Sequence, residues 1–231
     1  MNRLHSYASM NPTMRLSLLS ALGALLLTST NPSFAGTNSF QVPAFRGEAG
    51  STFTGWESFK VGVADPGNSG DLAGSSSNAK LFQFSPNALV LGSGNIYNGT
   101  DASRFEIRYS GTVPIGQVVL QIRALGTELK YDDVHLVAWT QSLTTSRTEL
   151  DRLAFGPPPP SPGSGVGVSS LWQWDISSLA ANSFAISFNA NEANLSLDSA
   201  TLDVRAAPEP GVMTLAFAGA AALLVARRAR R

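Results

Sequence analysis

Phe105-Glu106-Ile107-Arg108-Tyr109 sets three apolar side chains on one side of an extended chain and two charged ones on the other. Alternation of this kind is the period-two signature of a strand with one face buried. The same pattern returns at Val118, Leu120 and Ile122 against Val119, Gln121 and Arg123, and at Val134, Leu136 and Ala138. It continues at Trp172, Trp174 and Ile176, at Phe184, Ile186 and Phe188, and at Leu202 with Val204. Turn-forming clusters separate the runs: Asp65-Pro66-Gly67-Asn68, Gly70 to Asn78, Asn98-Gly99 and Gly111 to Pro114. The spacing predicts about eight to ten strands and no long amphipathic helix between the two ends of the chain. That is the pattern of an all-β antiparallel sandwich, of jelly-roll type.

Around this patterned region the composition is equally directive. Residues 36–207 are long enough for one domain with a sizeable core. The chain has no cysteine, which excludes disulfides, thiolate metal sites and a cysteine nucleophile. Its formal charge is zero, yet all 16 acidic residues lie between Gly36 and Pro210 with only 10 of the 16 basic ones, a net −6 for that part. An acidic domain argues against nucleic acid as a partner. Two loops stand out for composition. Residues 64–80 are rich in Gly, Ser and Asn, and 156–167 contain Pro157 to Pro160 and Pro162, which favour polyproline II.

The two ends read as membrane-directed segments. Arg15, the apolar run Leu16 to Leu27 and Ser33-Phe34-Ala35 make residues 1–35 a secretory signal peptide, cleaved between Ala35 and Gly36 by a signal peptidase. Translation starting at Met14 gives a compact signal, and starting at Met1 a long polar leader. The competing reading, a retained N-terminal anchor, is disfavoured by the shortness of the apolar run. At the other end Pro208-Glu209-Pro210 is followed by an uncharged run from Gly211 to Ala226 and then by Arg227, Arg228, Arg230 and Arg231. As a helix, residues 211–226 reach about 24 Å against a hydrocarbon core of about 30 Å, a marginal span. The arginines would act as a basic stop on the cytoplasmic side, leaving residues before Pro208 outside. A buried helix of a soluble domain would carry a polar face, and this run has only Thr214.

In that order and at that place, residues 208–231 resemble the PEP-CTERM sorting signal of Gram-negative bacteria. The resemblance implies that an exosortase, a membrane protease-transferase, recognises Pro208, Glu209 and Pro210 and processes the tail, in bacteria that often make exopolysaccharide. The three residues would be a substrate motif, held extended by the two prolines. Phe45 to Phe59, Gly94-Asn95-Ile96-Tyr97 and Leu195 to Val204 further resemble ectodomains of other PEP-CTERM proteins, which implies one sandwich domain and no assigned activity.

Candidate chemistry within the domain is sparse. His135 is the only histidine after residue 35; it lies on a strand pattern with Val137 and Trp139 and has no Gly-x-Ser-x-Gly context. Asp132, Asp133, Asp198 and Asp203 are the carboxylates available for glycoside chemistry, and the first two precede a strand, where turn formation explains them. A structural calcium held by carboxylates and loop carbonyls is compatible with a jelly roll, although no Asp-rich ladder such as an EF-hand loop is present. Trp172 and Trp174 point to the same side of one strand, as a sugar-stacking platform requires, but Ile176 continues that side as core packing requires.

The expectation is therefore a non-enzymatic exported envelope or matrix protein, with no catalytic residue, metal or cofactor. It would be held at the inner membrane by residues 211–226, then processed for the surface or matrix and associated with exopolysaccharide. A carbohydrate-binding module using Trp172 and Trp174 is the alternative, and an exopolysaccharide-modifying enzyme the third reading.

Overall fold

The computed structural model describes residues 39–155 and 165–208. The described residues form thirteen strands in two antiparallel sheets, with two single-turn 3-10 segments and no α-helix. The strands are β1 (Ser51–Trp56), β2 (Asn68–Ser69), β3 (Ala79–Gln83), β4 (Leu89–Val90), β5 (Ile96–Asn98), β6 (Arg104–Ser110) and β7 (Ile115–Gly126). They continue with β8 (His135–Ala138), β9 (Gln141–Thr144), β10 (Thr148–Phe155), β11 (Gly165–Asp175), β12 (Ser183–Asn189) and β13 (Leu195–Ala206). One sheet runs β10-β11-β7-β13-β5-β4, with β1 also on β13; the other runs β2-β3-β6-β12-β8-β9. We call them the β13 sheet and the β6 sheet.

The alternating runs become strands because each has one face to bury. On β6 the side chains of Phe105, Ile107 and Tyr109 are buried, and β12 opposes them in register with Phe188, Ile186 and Phe184. The outer two pairs stack, Phe105 on Phe188 and Tyr109 on Phe184, each with ring centroids 5.1 Å apart. Such cross-strand aromatic pairs fix register as well as adding contact area. The β13 sheet answers with Leu120 and Ile122 of β7, Leu202 and Val204 of β13, and Trp172 of β11, all buried in the same core. This is β-sandwich-like packing.

At the centre lies β13. Along one edge it pairs with β7 from Leu195↔Gly126 to Ala206↔Ile115. Its other edge is shared, Leu195 to Leu197 with β5 and Ala200 to Arg205 with β1, and a bulge between Leu197 and Ser199 marks the handover. Gly126 ends β7 at φ +89°, and a Cβ there would fall 2.3 Å from the carbonyl oxygen of Asn194, so only glycine fits this close approach.

Three features differ from the sequence reading. The strand count exceeds eight to ten, because β2 and β4 are two residues long, β5 is three, and β9 and β10 are mostly exposed on both sides and carry no period. Gln121, which alternation assigns to the solvent face, is fully buried. Residues 39–46 strap the outer face of the β13 sheet, and the Gln121 amide serves as a strand partner for their backbone. Its Oε1 accepts from the Gln41 N–H at 2.7 Å, and its Nε2 donates to the Gln41 carbonyl at 2.8 Å. Lastly, Trp139 is not a sheet-face residue with His135 and Val137; it occupies the turn between β8 and β9.

Candidate functional site

Of the residues singled out from sequence, the sorting tail falls almost wholly outside the described residues. Pro208 is described and exposed; Glu209, Pro210, the run 211–226 and Arg227, Arg228, Arg230 and Arg231 are not, nor are Ala35 and Gly36. The Pro157 to Pro162 segment is likewise outside them. No helix among the described residues is long and apolar enough to cross a membrane.

Trp172 and Trp174 do share one side of β11, and it is the core side. They are 0% and 3% exposed, with Trp172 tilted against Tyr131 at 6.3 Å and Trp174 donating its indole N–H to the Leu143 carbonyl at 3.2 Å. Neither ring presents a face to a ligand. Burial of two indoles opposite Leu120 and Val118 explains why the strand alternates there.

Of the four carboxylates, Asp132 is exposed on the 3-10 turn before β8, and Asp133, Asp198 and Asp203 are tied to separate partners. Asp203 is fully buried beneath the strap, where Arg46 grips it with Nε to Oδ1 at 2.5 Å and Nη2 to Oδ2 at 2.7 Å, its guanidinium also lying 4.0 Å over the Phe53 ring. Burial pushes the Asp203 carboxyl up, and the arginine only partly offsets this. Asp198 is raised for the same reason, against a hydrogen bond from Asn95 and the charge of Arg123. Asp133 accepts from Asn189 at 2.6 Å, which lowers it below the usual range. The Nδ1 of His135 lies 3.1 Å from the Asp133 carbonyl oxygen. Among the described residues no group of three or more His, Cys, Asp or Glu is arranged to hold a metal ion.

Two surfaces that the sequence reading missed carry more chemistry. The first is an ion-pair ladder on the exposed strand β10. Arg152 bridges Glu128 and Glu149, while Arg147 pairs with Glu149, donates to Ser170 Oγ at 2.8 Å and lies 3.6 Å over the Tyr131 ring. Hydrogen bonds from Arg152 and then Arg147 hold Glu149 down to about 2. Tyr131 is raised by burial and by its hydrogen bond to Glu128. The ladder satisfies itself, as a structural network does.

The second is the outer face of the β6 sheet, whose rows are set by register. Lys80 of β3 lies beside Arg108 of β6, then Ala185 of β12 and Val137 of β8. The next row is Phe82, Glu106, Ser187 and His135, and beyond it Arg104 lies opposite Asn189. Phe84, just past β3, stacks on Phe82 at 6.3 Å and is 40% exposed; the Arg108 guanidinium lies 4.6 Å from the Phe82 centroid and 5.8 Å from that of Phe84. Glu106 pairs with Arg108 at 2.5 Å. Lys80 and Arg104 are exposed and have no carboxylate within ion-pair distance among the described residues; the Lys80 ammonium donates to the Pro66 carbonyl at 3.3 Å.

Trp139 is the most exposed aromatic among the described residues, at 71%, and its backbone sits at φ +55°. Two-residue hairpin turns call for a left-handed first position, which glycine normally fills; a tryptophan there is strained. No protein-family model matches the chain, and no curated protein matches it.

Proposed function

We propose that the chain is a non-enzymatic exported protein of the cell envelope or extracellular matrix, whose C-terminal tail is a sorting and processing signal. The observation that carries this reading is the order of the tail: Pro208-Glu209-Pro210, the uncharged run Gly211 to Ala226, then four arginines in the last five residues. Further support is its placement. The final strand β13 ends at Ala206 in the middle of a sheet, so the motif comes within two residues of the folded body. An apolar run too short for a durable span suits a transient anchor. Signal peptidase acts at Ala35 and Gly36, residues 211–226 hold the chain at the inner membrane, and an exosortase then reads the extended Pro-Glu-Pro and releases the sandwich to the surface or matrix.

The sandwich itself we read as jelly-roll in type. The chain passes repeatedly between the two sheets, and the partners β6 with β12 and β7 with β13 are far apart in sequence. The carbohydrate-binding alternative loses Trp172 and Trp174 as its platform, because both are core.

Replacing Pro208, Glu209 and Pro210 together by alanine tests the sorting reading. A permanent anchor needs only hydrophobic length and a basic stop, so it tolerates this change. A processed signal does not, and the unprocessed form of the variant accumulates in the inner membrane of the native host. Processing and localisation like wild type would refute the role of these three residues.

A further inference from the structure

We infer that the outer face of the β6 sheet binds a sparsely charged anionic polysaccharide, its carboxylates meeting Lys80, Arg104 and Arg108 and its sugar C–H faces meeting Phe84. The starting observation is where the unmatched cations lie. In a part of the chain carrying net −6, Arg46, Arg123, Lys130, Arg147, Arg152 and Arg205 are each paired with a carboxylate, while Lys60, off this face, donates to Ser58 Oγ. In these rows three cations meet one carboxylate, Glu106; Asp133 reaches the edge of the face through Asn189 but is paired with Lys130, and Lys80 and Arg104 have no carboxylate within ion-pair distance among the described residues. The positive charge is therefore local and open to solvent.

The second observation is the company these cations keep. Phe82 backs the exposed ring of Phe84, and Arg108 lies across both, so planar apolar surface and guanidinium donors occupy one patch. A ring face stacks on the C–H face of a sugar, while a guanidinium takes a carboxylate in paired hydrogen bonds. Small side chains, Ala185 and Ser187, continue the face toward β8, leaving it flat over three strand spacings, about 14 Å. Flatness and extent suit a polymer better than a small molecule, which calls for a concave site.

Charge density decides between polyanions. Double-stranded DNA presents one charge per about 1.7 Å, and tight binding to nucleic acids engages many phosphates. Three cations on an acidic body fall short of that. A polymer with at most one carboxylate per sugar ring, its charges spaced wider than those of duplex DNA, matches them. At the β8–β9 corner of the same sheet, the strained and exposed Trp139 offers a further stacking surface that contributes nothing to the core.

The inference rests on the exported reading for where such a polymer is met, but its test does not depend on sorting. The full chain, purified in detergent, is run in native gels containing polygalacturonate, with dextran and single-stranded DNA as comparison polymers. The expected result is retardation by polygalacturonate that weakens as salt is raised, with little effect of dextran or DNA. The double variant Lys80→Glu, Arg104→Glu loses about ten-fold or more in apparent affinity, and Phe84→Ala weakens binding while leaving the salt dependence in place. Circular dichroism confirms that each variant keeps its β spectrum, and Lys60→Glu, a single charge reversal outside these rows of the sheet, serves as a control that binds as wild type does. No retardation by polygalacturonate, equal retardation by dextran or DNA, or undiminished binding by the double variant would overturn the inference. None of these results alters the processing of the tail, so the two readings fail separately.

Discussion

Arg46 and Gln83 show how single side chains set the balance of this fold. Asp203 is buried under the strap with Arg46 as its counter-charge, and Arg46 is about a quarter exposed. Arg46→Ala strands a buried carboxylate, and urea denaturation should show a loss of about 3 kcal/mol at neutral pH, the low end for breaking a buried pair. The sign of the shift sets the pH dependence. Burial already raises Asp203, and without Arg46 it rises further. A carboxyl raised in the folded state costs nothing below its unfolded value, near 3.9, and its full penalty appears once pH exceeds the folded value. The variant's deficit should therefore shrink as pH falls toward 4; a deficit independent of pH would contradict the assignment. Gln83 is the opposite case. It is fully buried on the core side of β3, and neither its Oε1 nor its Nε2 meets a hydrogen-bond partner. Gln83→Met keeps the length and removes the amide, so stability should rise by about 1 kcal/mol, read as a higher urea midpoint at unchanged slope.

At the scale of elements, strands with two unlike faces were legible and strands with two like faces were not. Phe105 to Tyr109 and Phe184 to Phe188 announce β6 and β12, because one side of each strand is buried and the other wet. β9 and β10 show no period, since most of their residues are exposed on both sides. Gln121 misleads for a different reason: its face is covered by residues 39–46, which carry no pattern of their own. The pairing of Trp172 with Trp174 on one side of β11 could be read, but which side faces the core depends on the register with Leu120 and Val118. Trp172→Ala should cost about 3–5 kcal/mol as a core truncation, whereas an exposed stacking residue would leave the denaturation midpoint almost unmoved. The Phe84, Lys80 and Arg108 patch was not visible at all, because it exists only once β3 pairs with β6. On β10 the ladder makes its own prediction. Glu149 is held at about 2 against an ordinary 4.5, so its contribution is present above 4.5 and lost as pH falls through 2. The melting temperatures of wild type and Glu149→Gln should differ near neutral pH and converge across that window; a constant difference would show that Glu149 acts by packing instead.

For the whole molecule, the described strands form a sandwich whose described hydrogen bonds do not draw on the segments proposed to direct its traffic. Its final strand lies at the centre of a sheet, paired on both edges, and the Ala207 N–H donates to the Pro114 carbonyl at 2.8 Å. Removal of the residues after Pro208 should therefore leave the described hydrogen bonds of β13 intact, as a processed product requires. The same holds at the front, where a cut after Ala35 spares Ser39, Gln41 and Arg46 and their contacts with Ser169, Gln121 and Asp203. Export with processing at both ends is the central claim, and the mass of the mature protein from its native host tests it most directly. The claim predicts a surface or extracellular species that begins at Gly36 and lacks residues 211–226 and the four arginines. An inner-membrane species retaining the first 35 residues and the intact tail would contradict it.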